Sequence, residues 1–379
     1  MILFLKQILL LVLLLLLGCD NSNSPFNDSE LYNLISVDIG EVRDLDFSND
    51  RLYIATESEG IYIYEIQPSS NSENDIMLSD GSYLTTLYEN VDWGEGKDIR
   101  SIKYSENTNM LYALDRFGYT YHNSVDYLLG QLSPFYLSCS DTLIANMCSA
   151  TQTHATKFAL DDGNESPELY ILYKHNADNE LYTEESYSSL KFMNYVISPL
   201  NSLGFCELFG TCENEAITID DSLSYNVNDI FYVDDKLYVA NPNKDISSFS
   251  IYEKDGGLID SYVTDSDVKS IYAVNDYIVA GTKNGCYITL LEGDGISSDE
   301  VDKLFIADGY SINNIHFDGN KLILSAGIEG VIVYNWDGNS MNIIEDLRIH
   351  SSYAYTARFI NEMYFIATKN GLEIYQLGG

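Results

Sequence analysis

Positive charge is scarce in this chain. Lys and Arg number 20 against 58 Asp and Glu, a formal net charge of −38. A field of that sign repels phosphate backbones, so no nucleic-acid partner is expected. It also keeps the chain off anionic headgroups, so a basic patch is excluded as the means of holding it to a membrane. A solvated acidic surface is the simpler reading, with weak recruitment of divalent cations the lesser one. Proline is limited to six residues, and no long helical pattern follows Leu17. The five histidines, His122, His154, His175, His316 and His350, are scattered singly with no H-x-H or H-E-x-x-H. There is no G-x-S-x-G elbow, P-loop or dinucleotide fingerprint. No C-x-x-C occurs, which removes the usual zinc and redox motifs. The acidic segment 293-GDGISSDEVD-302 matches no EF-hand and reads as a solvated loop. No catalytic residue, cofactor or metal site is therefore expected.

What the chain does have is a repeat. The motif V/I-x-x-Φ-x-Φ, a turn, a strand ending in a small residue, then Gly and another strand, recurs about seven times. The clearest copies are 42-VRDLDFSNDRLYIATESEGIYIYEI-66, 268-VKSIYAVNDYIVAGTKNGCYITLL-291, 312-INNIHFDGNKLILSAGIEGVIVYNW-336 and 354-AYTARFINEMYFIATKNGLEIYQL-377. Looser copies start at Ile99 and Val227, and a degenerate one at Ala155, with Leu172 where most copies place Ala or Ser. The last four copies start 41, 44 and 42 residues apart, at 227, 268, 312 and 354. That period, with short strands in each unit, is the signature of β-propeller blades. The 31 tyrosines fit the same reading, since Tyr covers a pleated surface while its hydroxyl meets water. The expected fold is all-β: a propeller, most simply of seven four-stranded blades, with six or eight as alternatives. Its last copy stops after a third strand, and the strand-like segment 34-LISVDI-39 is available to supply the fourth.

The ends and the cysteines bear on location. Residues 1–18 carry one charge, Lys6, and an apolar run from Ile8 to Leu17, as a secretory signal does. The ending Leu16-Leu17-Gly18-Cys19 resembles the lipobox of bacterial lipoproteins. That resemblance implies cleavage before Cys19, acylation of its thiol (palmitate included) and a lipid anchor. Residues 19–30 then form a polar tether, and 31–379 the propeller, with loop-rich insertions around 122–225. Cys139 with Cys148 and Cys206 with Cys212 are disulfide candidates by spacing in an exported chain. Cys286 stands alone, as a buried core residue.

Several units resemble the LVIVD repeat of bacterial and archaeal surface proteins, in 41-EVRDLDFSNDRLYIATESEGIYIYEI-66, 227-VNDIFYVDDKLYVA-240 and 330-GVIVYNW-336. The resemblance implies a propeller displayed in the cell envelope for binding or scaffolding. It implies no catalytic residues and no common ligand. A monomer engaging an envelope protein or a glycan is expected.

The second position of each innermost strand reads Arg43, Arg100, Thr156, Asn228, Lys269, Asn313 and Tyr355. Three cations in so acidic a chain make Arg43, Arg100 and Lys269 candidates for a collar at one channel mouth, suited to a carboxylate or sugar. The competing reading has each cation pair with an acid such as Asp44 or Asp98. His154 and His316 also fall on innermost strands, which keeps a channel hydrolase or lyase, acting on a polysaccharide or small ester, as the alternative function.

Overall fold

The computed structural model describes residues 31–48, 50–70, 72–78, 80–89, 98–116, 120–125, 136–137, 153–161, 168–175, 187–194, 214–217, 223–224, 227–243, 245–254 and 256–377. Apart from a 3-10 turn at Glu300–Asp302, the named elements among them are all strands. The signal segment, Cys19, the tether and all four paired-cysteine candidates, Cys139, Cys148, Cys206 and Cys212, lie outside the described residues.

The strands form separate antiparallel sheets, seven among the described residues. We number them by their innermost strands: sheet 1 starts at Val42–Ser48, sheet 2 at Ile99–Ser105, sheet 3 at Thr153–Asp161, sheet 4 at Asp229–Val233, sheet 5 at Val268–Val274, sheet 6 at Asn314–Asp318 and sheet 7 at Ala354–Ile360. Within a sheet the chain meanders outward. In sheet 5 it passes through Tyr277–Thr282 and Gly285–Glu292 to Lys303–Ile306. Sheet 7 takes its fourth strand from the other end of the chain: Leu31–Val37 pairs antiparallel with Gly371–Leu377. Each innermost strand packs against that of the next sheet, and Ala354–Ile360 packs back on Val42–Ser48. The apolar core is consequently divided among the junctions between sheets. Ile323, Val331 and Ile349 of sheet 6, for example, pack on Ala357, Tyr364 and Ile366 of sheet 7.

Local chemistry explains the repeat. At the end of the second strand, Thr56, Thr282 and Thr368 each donate a hydroxyl to a carbonyl across the following turn, those of Gly60, Gly285 and Gly371, at 2.9–3.0 Å. The same oxygens accept the N–H of Glu59, Asn284 and Asn370. The turn glycines are required by close approach as well as by φ. Gly330 has φ +82°, and a Cβ there would lie 2.0 Å from the Ile349 carbonyl oxygen. Gly371 has φ +123°, and a Cβ would meet the Val37 carbonyl oxygen at 2.3 Å. Both close the turn against the outermost strand, which no side chain allows.

Two expectations are corrected. Leu172 is not peculiar to the third unit: in register, the residue opposite the third position of the innermost strand is Ala55, Ala240, Ser325 or Ala367 in four sheets, but Leu114 and Leu172 in sheets 2 and 3. The segment 293–302 is more than a solvated loop. Gly295–Ile296 pairs with Leu291–Glu292, the Ile296 N–H donates to Asp260 of sheet 4 at 2.8 Å, and Asp294 pairs with Lys236. Cys286 is fully buried, and burial pushes its thiol up, which makes it an inert core residue.

Candidate functional site

The innermost strands are bulged near their starts. In sheet 1, Val42 pairs with Thr56 and Asp44 with Ala55, so two residues of one strand face one of its neighbour. The same shift occurs between Ile99 and Ser101, Ala155 and Lys157, Val268 and Ser270, and Ala354 and Thr356. A bulge inverts the alternation after it. The first and fourth positions, such as Val42 and Leu45, therefore share a face and are buried in the junctions, whereas the third and fifth share the other. Those third and fifth positions line a central cavity of about 310 Å³ to which all seven innermost strands contribute.

The cavity wall is charged, and its acids have a structural task. An innermost strand has backbone donors with no partner strand on the channel side, and such groups need acceptors. Neighbouring sheets supply them. Asp44 Oδ2 accepts the N–H of Ile102 at 3.0 Å and the Ser101 hydroxyl at 2.9 Å. Asp46 accepts the Tyr104 N–H at 2.8 Å, Asp229 the Ile271 N–H at 3.1 Å, and Asp318 the Phe359 N–H at 2.9 Å. These carboxylates bind sheets 1 to 2, 4 to 5 and 6 to 7.

Arg358 of sheet 7 joins three sheets. Its guanidinium donates to both oxygens of Asp318 in sheet 6 at 3.0–3.2 Å and to Asp46 in sheet 1 at 3.0 Å. Burial works against its charge, but Asp318 and Asp46 outweigh that and hold the group firmly protonated. Lys157 of sheet 3 faces Asp229 of sheet 4 at 3.6 Å. Asp229 raises the Lys157 ammonium, while burial raises the Asp229 carboxyl against the pull of Lys157.

His316 also lines the cavity, with 8% of its surface exposed. Its Nε2 is buried without a hydrogen-bond partner. Burial first, then the charges of Arg358, Lys103 and Lys157, hold it well below the ordinary histidine range, so the ring is neutral. Tyr272 stands edge-on to it at 6.2 Å between centroids. Of the other histidines, His154 and His175 lie on strands of sheet 3 and His122 on Thr120–Ser124, and His350 is exposed on a loop.

The collar candidates sit elsewhere. Arg43, Arg100 and Lys269 occupy the bulges, at the rim and outside the cavity wall. Arg43 pairs with Glu41 at 2.9 Å and with Glu57, and its guanidinium lies 4.5 Å from the Tyr355 ring centre. Tyr355 in turn donates to Glu41. Arg100 pairs with the buried Asp98, whose carboxyl is raised by burial against the pull of Arg100. Lys269 donates to Asn313 at 3.0 Å, and burial and Lys283 hold its ammonium below the ordinary range. Arg43 does not pair with Asp44, because the bulge turns Asp44 into the cavity wall, where sheet 2 claims it. The residues that line the cavity (Asp44, Asp46, Lys103, Lys157, Asp229 and Arg358) were reachable from the sequence through the V/I-x-x-Φ spacing itself. Buried positions three apart cannot share a face of a regular strand.

On the outside, an aromatic row crosses the junction of sheets 4 and 5. The rings of Tyr262 and Tyr287 are 5.9 Å apart and those of Tyr287 and Phe305 4.8 Å, with the Lys303 ammonium 5.2 Å from the Tyr262 ring centre. Phe305 and the adjacent Val263 are exposed.

Neither the protein-family models nor the curated proteins give a match to this chain. Solved structures do, at low identity. The computationally designed Ika8 protein is 12% identical with a TM-score of 0.55, over 92% of this chain and 99% of that one. A chain of a mitotic checkpoint complex is 9% identical with a TM-score of 0.55, over 95% of each. The Dos1 propeller is 10% identical with a TM-score of 0.52, over 92% of this chain and 96% of that one. Likeness at such identity speaks for the fold alone, and the fold it supports is an all-β propeller.

Proposed function

We propose that this chain is a lipid-anchored protein of the bacterial cell envelope, a closed seven-bladed propeller of the LVIVD-repeat kind that binds a protein or glycan partner without catalysis. The seven sheets are the blades, and the pairing of Leu31–Val37 with Gly371–Leu377 is the clasp that joins the two ends. Leu16-Leu17-Gly18-Cys19 supports the anchor, with Cys19 as the acylated residue.

The observation that carries the binding role is the aromatic row Tyr262–Tyr287–Phe305, half-buried at its two tyrosines and exposed at Phe305. Aromatic rings held on a rigid sheet and open to solvent at one edge are what protein interfaces and sugar rings engage. The rival reading, a hydrolase or lyase acting in the channel, rests on His316 beside acids in one cavity; Asp44 and Asp229 are there already committed to backbone N–H groups.

The test is affinity capture from a native envelope extract with the lipid-anchored chain as bait, repeated with Phe305→Glu. The expected result is one envelope protein or glycan retained by the parent chain and lost by the variant at unchanged melting temperature. Retention of cytoplasmic proteins only, or equal capture by both, would sink the proposal.

A further inference from the structure

We infer that the central cavity is a binding site for a small carboxylate-bearing molecule, seated among Lys103, Lys157 and His316. The site is separate from the aromatic row and stands whether or not that row engages a partner.

The argument begins with how the wall spends its charges. Each acid in it turns an oxygen toward a backbone donor of the next sheet: Asp44 toward Ile102, Asp46 toward Tyr104, Asp229 toward Ile271. Arg358 is likewise consumed by Asp318 and Asp46. Lys103 is different. Its side chain lines the cavity without a close ion pair or hydrogen bond among the described residues, and its charge reaches Asp229 from a distance. Lys157 is shared between Asp229, at 3.6 Å, and the charge of Asp44, and is 35% exposed. His316 adds a buried nitrogen with no partner, and a buried polar atom left so destabilises the fold unless something meets it.

These three groups come from sheets 2, 3 and 6 and converge on one space. Three cations, Arg358, Lys103 and Lys157, act on the His316 ring, so an anion seated beside it would meet the two lysines directly. A neutral imidazole can still donate one N–H to a carboxylate oxygen. The volume of about 310 Å³ is at the small end of ligand pockets, which limits the occupant to a metabolite-sized molecule. Between its charged groups the wall carries Phe231, Tyr232, Ile271 and Tyr272, a surface on which a short carbon skeleton between carboxylates can lie.

The experiment is calorimetric titration of the full chain in detergent with succinate, and with succinamide as the uncharged control of the same shape. Binding of succinate and not of succinamide is expected. Lys103→Met should weaken it at least about tenfold, the loss of one charge-assisted contact, without lowering the melting temperature. A second readout is independent of any variant: succinate should move the His316 imidazole signals in a ¹⁵N-resolved NMR spectrum. The inference is overturned if succinate fails to bind at millimolar concentration, if succinamide binds equally, or if Lys103→Met leaves the affinity unchanged.

Discussion

At the second position of the innermost strands, Arg43 and Arg100 are matched with the carboxylates of Glu41, Glu57 and Asp98 at the rim. One and three residues further along, the polarity of the matching changes. There the carboxylates serve backbone N–H groups of the next sheet, and the cations are gathered around a cavity. Neighbours along one strand thus do different work, and the bulge between them is the cause. It turns the second position out to the rim and the third and fifth inward. The rim is a set of pairs between side chains. The wall is a set of contacts that hold sheets to one another.

That contrast can be broken experimentally. The largest effect is expected from Arg358→Met, which leaves Asp318 and Asp46 facing each other half-buried. Removing one partner of such a network costs about 3–5 kcal/mol, seen as a lower urea midpoint. Asp44→Asn comes next, because an amide can turn a donor toward the Ile102 N–H and Ser101 hydroxyl; about 1.5–3 kcal/mol is expected by the same measurement. At the rim, Lys283→Gln removes the pair with Asp267, both side chains of which are largely exposed, and only about 1 kcal/mol or less should be lost. If the rim variant cost as much as the wall variants, the division of labour would be wrong.

A pH series sharpens the same comparison. His316 has a folded value well below the ordinary 6.5, so the unfolded chain takes up its proton first. Its contribution is fully present above about 6.5 and is lost as pH falls below it, at up to about 1.4 kcal/mol per pH unit until the folded value is reached. The difference in unfolding free energy between the parent and His316→Gln should therefore change with pH below 6.5 and be flat above it. Lys157 and Arg358, both held protonated by neighbouring acids, continue to oppose protonation of the ring.

Much of this was legible in the chain. The strands of sheets 5 to 7 follow from alternation bounded by Asn, Asp and Gly. In sheet 5 the copy 268–291 resolves into Val268–Val274, Tyr277–Thr282 and Gly285–Glu292, with breaks at Asn275-Asp276 and Lys283-Asn284. A regular innermost strand would turn its second position toward the channel, whereas the bulge turns the third and fifth there. The spacing Val42/Leu45, Ile99/Ile102 and Val268/Ile271 already carries the bulge, since both members are buried in the same junction. The acids' use as acceptors for the next sheet was out of reach: it depends on contacts 42 to 58 residues away in sequence, which no local pattern encodes.

The most direct test of the wall as a binding device between sheets is a double-mutant cycle on Asp46→Asn and Arg358→Met, which links sheet 1 to sheet 7 through a 3.0 Å contact. We expect a coupling energy of about 1–3 kcal/mol in urea unfolding, as for groups within one buried network. Additivity within about 0.3–0.5 kcal/mol, the behaviour of independent sites, would contradict the account.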